Sequence, residues 1–152
     1  MASAPAVPDA VLFACTMNAV RSPMAAAILS HLAGRRVKVA SAGVRAGSND
    51  PYMVAVMDEI GIDTSDHEPQ LLESIGDDVF DLIVTLSPEA HHHALELTRI
   101  MPAKVEYWPT YDATVMQEKA TREQNLARYR QVRDEIFARV KKRFSVEGGP
   151  VV

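Results

Sequence analysis

Four short apolar runs divide this chain of 152 residues, and each is followed by a helical pattern. The runs are Ala10–Ala14, Val37–Ala42, Asp81–Leu86 and Lys104–Trp108. They are too short for core helices, and the first and third read AVLFA and DLIVTL, the pattern of strands covered on both faces. Ser22–Ala33 reads as a helix with an apolar stripe of Met24, Ile28, Leu29 and Leu32 and a stop at Gly34. Pro51–Ile60 reads as a second, with Asp50 as its cap and Gly61 beyond its end. Pro88 opens a third that runs to about Arg99. Thr121–Phe144 is a long fourth, striped by Leu126, Tyr129, Val132, Ile136, Val140 and Phe144, with its arginines and lysines expected to face away. Strands alternating with helices imply an α/β fold, three layers αβα, around a four-stranded parallel sheet. Right-handed crossovers put every strand's C-terminal end on one edge, where ligands of open sheets bind. Cys15, Ser41 and Asp112 all follow strand ends, so the fold alone brings them to that edge.

The first strand runs directly into CTMNAVRSP (15–23), and Cys15 is the sole cysteine. A cysteine with arginine six positions later, at a strand-to-helix junction, can close into an anion cradle. The backbone N–H groups of Thr16, Met17, Asn18, Ala19 and Val20 turn inward, and the helix N-terminus adds positive partial charge. Arg21 offers a planar fork that matches two oxygens of a tetrahedral oxyanion. The same field favours the thiolate of Cys15, the form that attacks phosphorus, and should make Cys15 sensitive to peroxide. Ser22 is placed to donate its hydroxyl to the sulfur. Asn18 is a residue type that tolerates the left-handed backbone a tight loop needs. Pro23 suits the first helical turn, where no N–H is missed.

The run CTMNAVRSPMA resembles the phosphate-binding loop of the low-molecular-weight protein tyrosine phosphatases and the related thioredoxin-coupled arsenate reductases, whose pattern is Cys-x-Gly-Asn-x-x-Arg-Ser. The resemblance extends along most of the chain and implies the strand order 2-1-3-4. Ser41-Ala42-Gly43 matches a Ser-Ala-Gly of that family, in which the serine bonds the loop asparagine, so Ser41 would brace Asn18. His67 either matches a family histidine near that asparagine or caps a short helix at Leu71–Ile75. Trp108 ends the last strand and Asp112 follows four residues later, the family's spacing for its acid. Asp58, Asp66, Asp77, Asp78 and Asp81 are the other carboxylates weighed, and none follows the last strand. The resemblance implies a phosphatase with a phosphocysteine intermediate. Cys15 would be the nucleophile, Arg21 and the loop amides would hold the phosphoryl oxygens, and Asp112 would act as general acid and then base. No cofactor or metal is implied. A phosphotyrosine protein or a small aryl phosphate would be the substrate.

The chain departs from that family at three places. Met17 stands where the loop has glycine, and Ala26 stands where a helix glutamate is frequent. Ala113, Thr114, Val115 and Met116 follow the acid, where many members have proline and tyrosines that wall an aromatic slot. Tyr111, Tyr52 and Trp108 are the other candidate walls. Two alternatives therefore accompany the phosphatase reading. One is arsenate reduction with an external thiol, because a single cysteine cannot run an internal thiol relay. The other is a weakly catalytic module that only binds a phosphorylated partner. A phosphocysteine carrier would have little use for Arg21 or an acid.

Length fits one domain, expected over 10–146 between a loose lead-in (1–9) and a frayed tail (147–152). A net charge of −4 argues against a nucleic-acid surface. One cysteine makes no internal disulfide and suits a reducing cytoplasm. The apolar runs are too short to span a bilayer, and no signal peptide or anchor is expected. His91, His92 and His93 are adjacent on one helix, point about 100° apart and cannot converge on one ion; they are expected on a solvated face.

Overall fold

A computed structural model describes residues 8–75, 78–115 and 117–144. Residues 1–7 of the expected lead-in, the expected tail 147–152, Asp77 and Met116 lie outside them. The elements run β1 (Ala10–Cys15), α1 (Arg21–Ala33), β2 (Lys38–Gly43), α2 (Pro51–Asp58), β3 (Leu82–Thr85), α3 (Pro88–Leu97), β4 (Lys104–Tyr107) and α4 (Arg122–Phe144). Single 3-10 turns occupy Gly34–Arg36, Leu72–Ile75 and Gln117–Lys119.

The sheet is parallel throughout, in the order β2-β1-β3-β4. Its registers align the strand ends: Cys15 lies opposite Gly43, Ala14 opposite Thr85, and Thr85 opposite Tyr107. The C-terminal edge is therefore one continuous ledge. β1 is buried along its whole length, and its side chains divide between two cores. Val11, Phe13 and Cys15 face α1, α2 and α4, whereas Ala10, Leu12 and Ala14 face α3 and Phe80. This division explains why β1 has no polar alternation. Loop chemistry at the strand entries is also specific. Asp81 Oδ2 accepts from the N–H groups of Asp9 and Ala10 at 2.6 and 3.2 Å, fixing the start of β1 at the edge away from Cys15.

Helix boundaries follow their caps. Asp50 Oδ1 accepts from Tyr52 N and Met53 N, and Ser87 Oγ accepts from Ala90 N, each before a proline at the first helical position. Thr121 and Gln124 form a reciprocal capping box at the head of α4, with bonds of 2.9 and 3.1 Å.

The short helix expected at Leu71–Ile75 is a 3-10 helix, Leu72–Ile75. Two expectations need correction. Not every base on α4 faces outward: Arg133 is buried, and its Nη1 donates to Val56 O and to Glu59 Oε1, both at 2.7 Å. A guanidinium can lie inside because a carbonyl and a carboxylate satisfy it there. His91 is half-buried rather than solvated. Its ring stacks on Tyr107 at 4.6 Å and its Nδ1 lies 3.0 Å from Thr85 Oγ1. Among the described residues, no helix is long and apolar enough to cross a membrane, and no three His, Cys, Asp or Glu side chains group as metal ligands do.

Candidate active site

β1 ends on Cys15, which is 2% exposed, and α1 begins at Arg21, so the loop between them turns within five residues. Asn18 makes that turn possible. It has φ 52°, the only positive value at a non-glycine among the described residues. A left-handed residue costs about 1 kcal/mol or more, and four hydrogen bonds hold Asn18 there. Its Nδ2 donates to Ser22 Oγ at 2.8 Å and to Ser41 Oγ at 2.9 Å. Its Oδ1 accepts from Gln70 N at 2.9 Å, and its carbonyl lies 2.7 Å from His67 Nε2. The His67 ring makes no bond to the Leu72–Ile75 turn among the described residues. Gln70 also donates from its side chain to Ser41 O at 2.8 Å, a brace that sequence reading missed because a glutamine in a loop carries no signal of its partner.

The loop carbonyls point outward. Cys15 O, Thr16 O and Met17 O accept from Val44 N, Arg45 N and Gly47 N at 3.1, 2.8 and 3.0 Å. The N–H groups of Thr16 to Val20 donate to no acceptor among the described residues. Val20 caps α1 without a side-chain bond, and the first turn holds no acid. The helix N-terminus and loop amides thus present uncompensated positive partial charge beside the thiol. Gly43 is required for this packing. A Cβ there would meet Arg45 O at 2.5 Å and Asn18 N at 2.7 Å.

Cys15 Sγ lies 2.9 Å from Ser22 Oγ and 3.4 Å from Ser22 N. Because Ser22 Oγ already accepts from Asn18, its own proton has two acceptors in reach, the sulfur at 2.9 Å and Ala42 O at 3.5 Å, of which the sulfur is the nearer. The sequence Gln70 N–H, Asn18 amide, Ser22 hydroxyl, Cys15 sulfur is a chain of hydrogen bonds that ends on the sulfur. A concavity of about 390 Å³ lined by Ser41, His67 and Gln70 lies against these braces and is not lined by Cys15 or Arg21.

Arg21 is 8% exposed, and its Nη1 donates to Thr110 O at 3.1 Å. Its Nη2 lies 3.9 Å from Asp112 Oδ2. Asp112 divides its oxygens. Oδ1 accepts from Thr114 N at 2.9 Å and Thr114 Oγ1 at 2.6 Å, a local turn, while Oδ2 faces Arg21. The structure thus brings Cys15, Arg21, Ser22, Asn18, Ser41, His67 and Asp112 to the same edge. Of the other carboxylates, Asp81 sits at the opposite end of β1 and Asp78 pairs with Lys38 at 3.5 Å.

Met17 does not occupy a left-handed conformation, so its replacement of glycine carries no backbone penalty. Its side chain is 40% exposed and lies over Gly47, where a Cβ would come within 3.3 Å of its Cε. Of the candidate aromatic walls, Trp108 is core, edge-on to Phe13 at 6.0 Å. Tyr52 is half-buried against Tyr129 at 5.3 Å. Tyr111 is 52% exposed.

Comparison with known proteins agrees with this geometry. The model of the low molecular weight phosphotyrosine protein phosphatase family matches residues 10–146. The chain is 36% identical over 132 residues to an arsenate reductase of Bacillus subtilis, covering 86% of this chain and 91% of that protein. It is 34% identical over 134 residues to an arsenate reductase of Shouchella clausii, covering 87% and 92%. The structure of the Erwinia amylovora tyrosine phosphatase amsI superposes with a TM-score of 0.67 at 25% identity, covering 91% of this chain and 92% of that one. With its fold, its loop and its match along nearly the whole length, this chain belongs to the low molecular weight phosphotyrosine protein phosphatase family.

Proposed function

We propose that this chain is a phosphomonoester hydrolase that works through a phosphocysteine. The observation that carries the reading is the placing of Asp112 Oδ2 beside Arg21, on a loop at the same sheet edge as a thiol that already has a donor. An enzyme that only bound phosphate would gain nothing from a carboxylate there, since an ionised acid repels the anion. A protonated Asp112 instead donates to the leaving oxygen as Cys15 displaces it. Arg21 must release or share Thr110 O to reach two phosphoryl oxygens, and the free N–H groups of Thr16 to Val20 take the rest. The sulfur–phosphorus bond then breaks as water attacks phosphorus, with Asp112 accepting the water proton and Ser22 stabilising the departing thiolate. Met17, Tyr111 and Val115, all partly exposed apolar side chains in or near the two loops, suit an aryl ester, either small or on a protein.

Arsenate reduction is the second reading, and the names of the two bacterial relatives favour it. The cradle would take arsenate as it takes phosphate. Conversion of As(V) to As(III) needs two electrons, which would come from two external thiols that leave as a disulfide, because this chain supplies one sulfur.

Hydrolysis of a chromogenic aryl phosphate without metal, across about pH 4.5 to 8, separates the readings. The phosphatase reading expects turnover by the wild type, none by Cys15→Ser, and a loss of ~10² to 10⁴ with Asp112→Asn. Phosphate or vanadate binding without turnover, together with arsenite formation from arsenate and glutathione, would favour the reductase.

A further inference from the structure

A buried polar residue interrupts the apolar stripe of α4. Asn125 is 2% exposed, beside Leu126 and one turn before Tyr129. Every polar atom of its side chain is used. Nδ2 donates to Gln117 O at 3.2 Å and to Tyr52 Oη at 3.3 Å, and Oδ1 accepts from Arg128 Nη2. The same Arg128 donates from Nε to Ala113 O at 3.5 Å. Asn125 therefore holds both ends of the segment that follows Asp112: Gln117 directly, and Ala113 through Arg128. Tyr129 adds a third tie. Its hydroxyl accepts from Gln117 Nε2 at 3.1 Å and donates to Asp50 Oδ2 at 2.6 Å. Burial, Asp50 and the nearby charge of Asp112 all push the Tyr129 hydroxyl upward, so it stays a donor.

A leucine would serve the packing of α4 better than an asparagine whose amide must be fully paired. Two of its three bonds lead instead to the segment after Asp112, one to Gln117 O and one through Arg128 to Ala113 O, and the third goes to Tyr52 on α2. Asp112 itself bonds only within its own turn, apart from facing Arg21. We infer that Asn125, with Arg128 and Tyr129, is a positioning set on α4 that holds the Asp112 loop in register with the Cys15 loop. The assignment rests on the reading of Asp112 as the proton donor. The set never touches substrate. Its effect reaches the reaction only through where Asp112 stands.

The test compares two aryl phosphates, one whose phenol leaves readily unprotonated and one whose phenol needs the proton. Wild type, Asp112→Asn, Asn125→Leu, Tyr129→Phe and the double variant Asp112→Asn/Asn125→Leu are assayed, with thermal unfolding recorded for each. A misplaced donor should cost about 10- to 100-fold in kcat on the poor leaving group, much less on the good one, with KM little changed. Tyr129→Phe, which removes one hydroxyl and keeps the ring, should show the same selectivity more weakly. Once Asp112 is gone, Asn125→Leu should cost nothing further. Equal losses on both esters, or additive losses in the double variant, would make Asn125 merely structural and overturn the assignment. Should Asp112→Asn itself show no leaving-group selectivity, or the wild type no hydrolysis, the acid reading fails and this assignment falls with it. That result is distinct from a failure confined to the Asn125 and Tyr129 variants.

Discussion

At the residue scale the account turns on one sulfur and its donors. The Ser22 hydroxyl, oriented by Asn18, is the nearest donor to Cys15 Sγ. A hydrogen bond to a charged atom is worth roughly 1.5–3 kcal/mol. Ser22→Ala should therefore slow turnover about 10- to 100-fold and slow alkylation of Cys15 near pH 6, as measured with iodoacetamide; unchanged alkylation would remove Ser22 from the relay. Gly43→Ala tests the loop's packing. Its new Cβ would meet backbone at 2.5 and 2.7 Å, so loss of about 2 kcal/mol or more of stability and of phosphate binding is expected from thermal unfolding with and without phosphate. Cys15, Arg21 and Asp112 were legible in the sequence because a lone cysteine, an arginine at fixed spacing and an acid after the last strand are scarce and lie at strand ends. Met17 was not: glycine's place in a loop pattern does not state the dihedral, and here the left-handed turn belongs to Asn18 alone among the described non-glycine residues. Asn125 was illegible for another reason. A polar residue beside a helical stripe reads as surface until its partners, eight and three residues away in one loop and the same helix, are seen.

At the element scale, α4 does more than cover the sheet. Its stripe fills the core shared with α1 and α2, as the 3.6-residue period implied. The buried Arg133 and its neighbour Arg130 join α4 to the end of α2 through Glu59. Arg130, with Arg133 behind it, holds the Glu59 carboxyl down to about 2, against an ordinary 4.5. Folding thus gains from the ionised form. The gain is complete above about pH 4.5 and is lost as pH falls through 4.5 towards 2. Glu59→Gln should lower stability by about 1 kcal/mol or less at pH 7, since the carboxylate is 37% exposed and screened. The gap from wild type should close in acid, read by urea unfolding at a series of pH values; a gap that widened in acid would reverse the sign argued here. Periodicity showed the face of α4 but not the inward turn of Arg133, because a guanidinium's burial depends on a carboxylate supplied by another helix.

At the scale of the whole molecule, a parallel sheet in the order β2-β1-β3-β4 brings segments far apart in sequence to one ledge. The Cys15 loop follows β1, the brace from Ser41 lies on β2, and Asp112 follows β4, with α4 behind its loop. Alternating apolar runs and helical patterns were enough to predict that ledge, since crossover handedness leaves little choice. The central claim is that Cys15 carries the phosphoryl group between two displacements. Asp112→Asn makes this directly visible. With an aryl phosphate whose phenol leaves readily, the first displacement needs little acid, whereas the second still needs a base, so the intermediate should accumulate. We would mix Asp112→Asn with such an ester, denature rapidly and read the intact mass and its site by peptide mapping. The account predicts one added phosphoryl group per chain, mapped to Cys15. Hydrolysis by the wild type with no covalent phosphoryl in the trapping variant, or a phosphoryl group on any other residue, would contradict it.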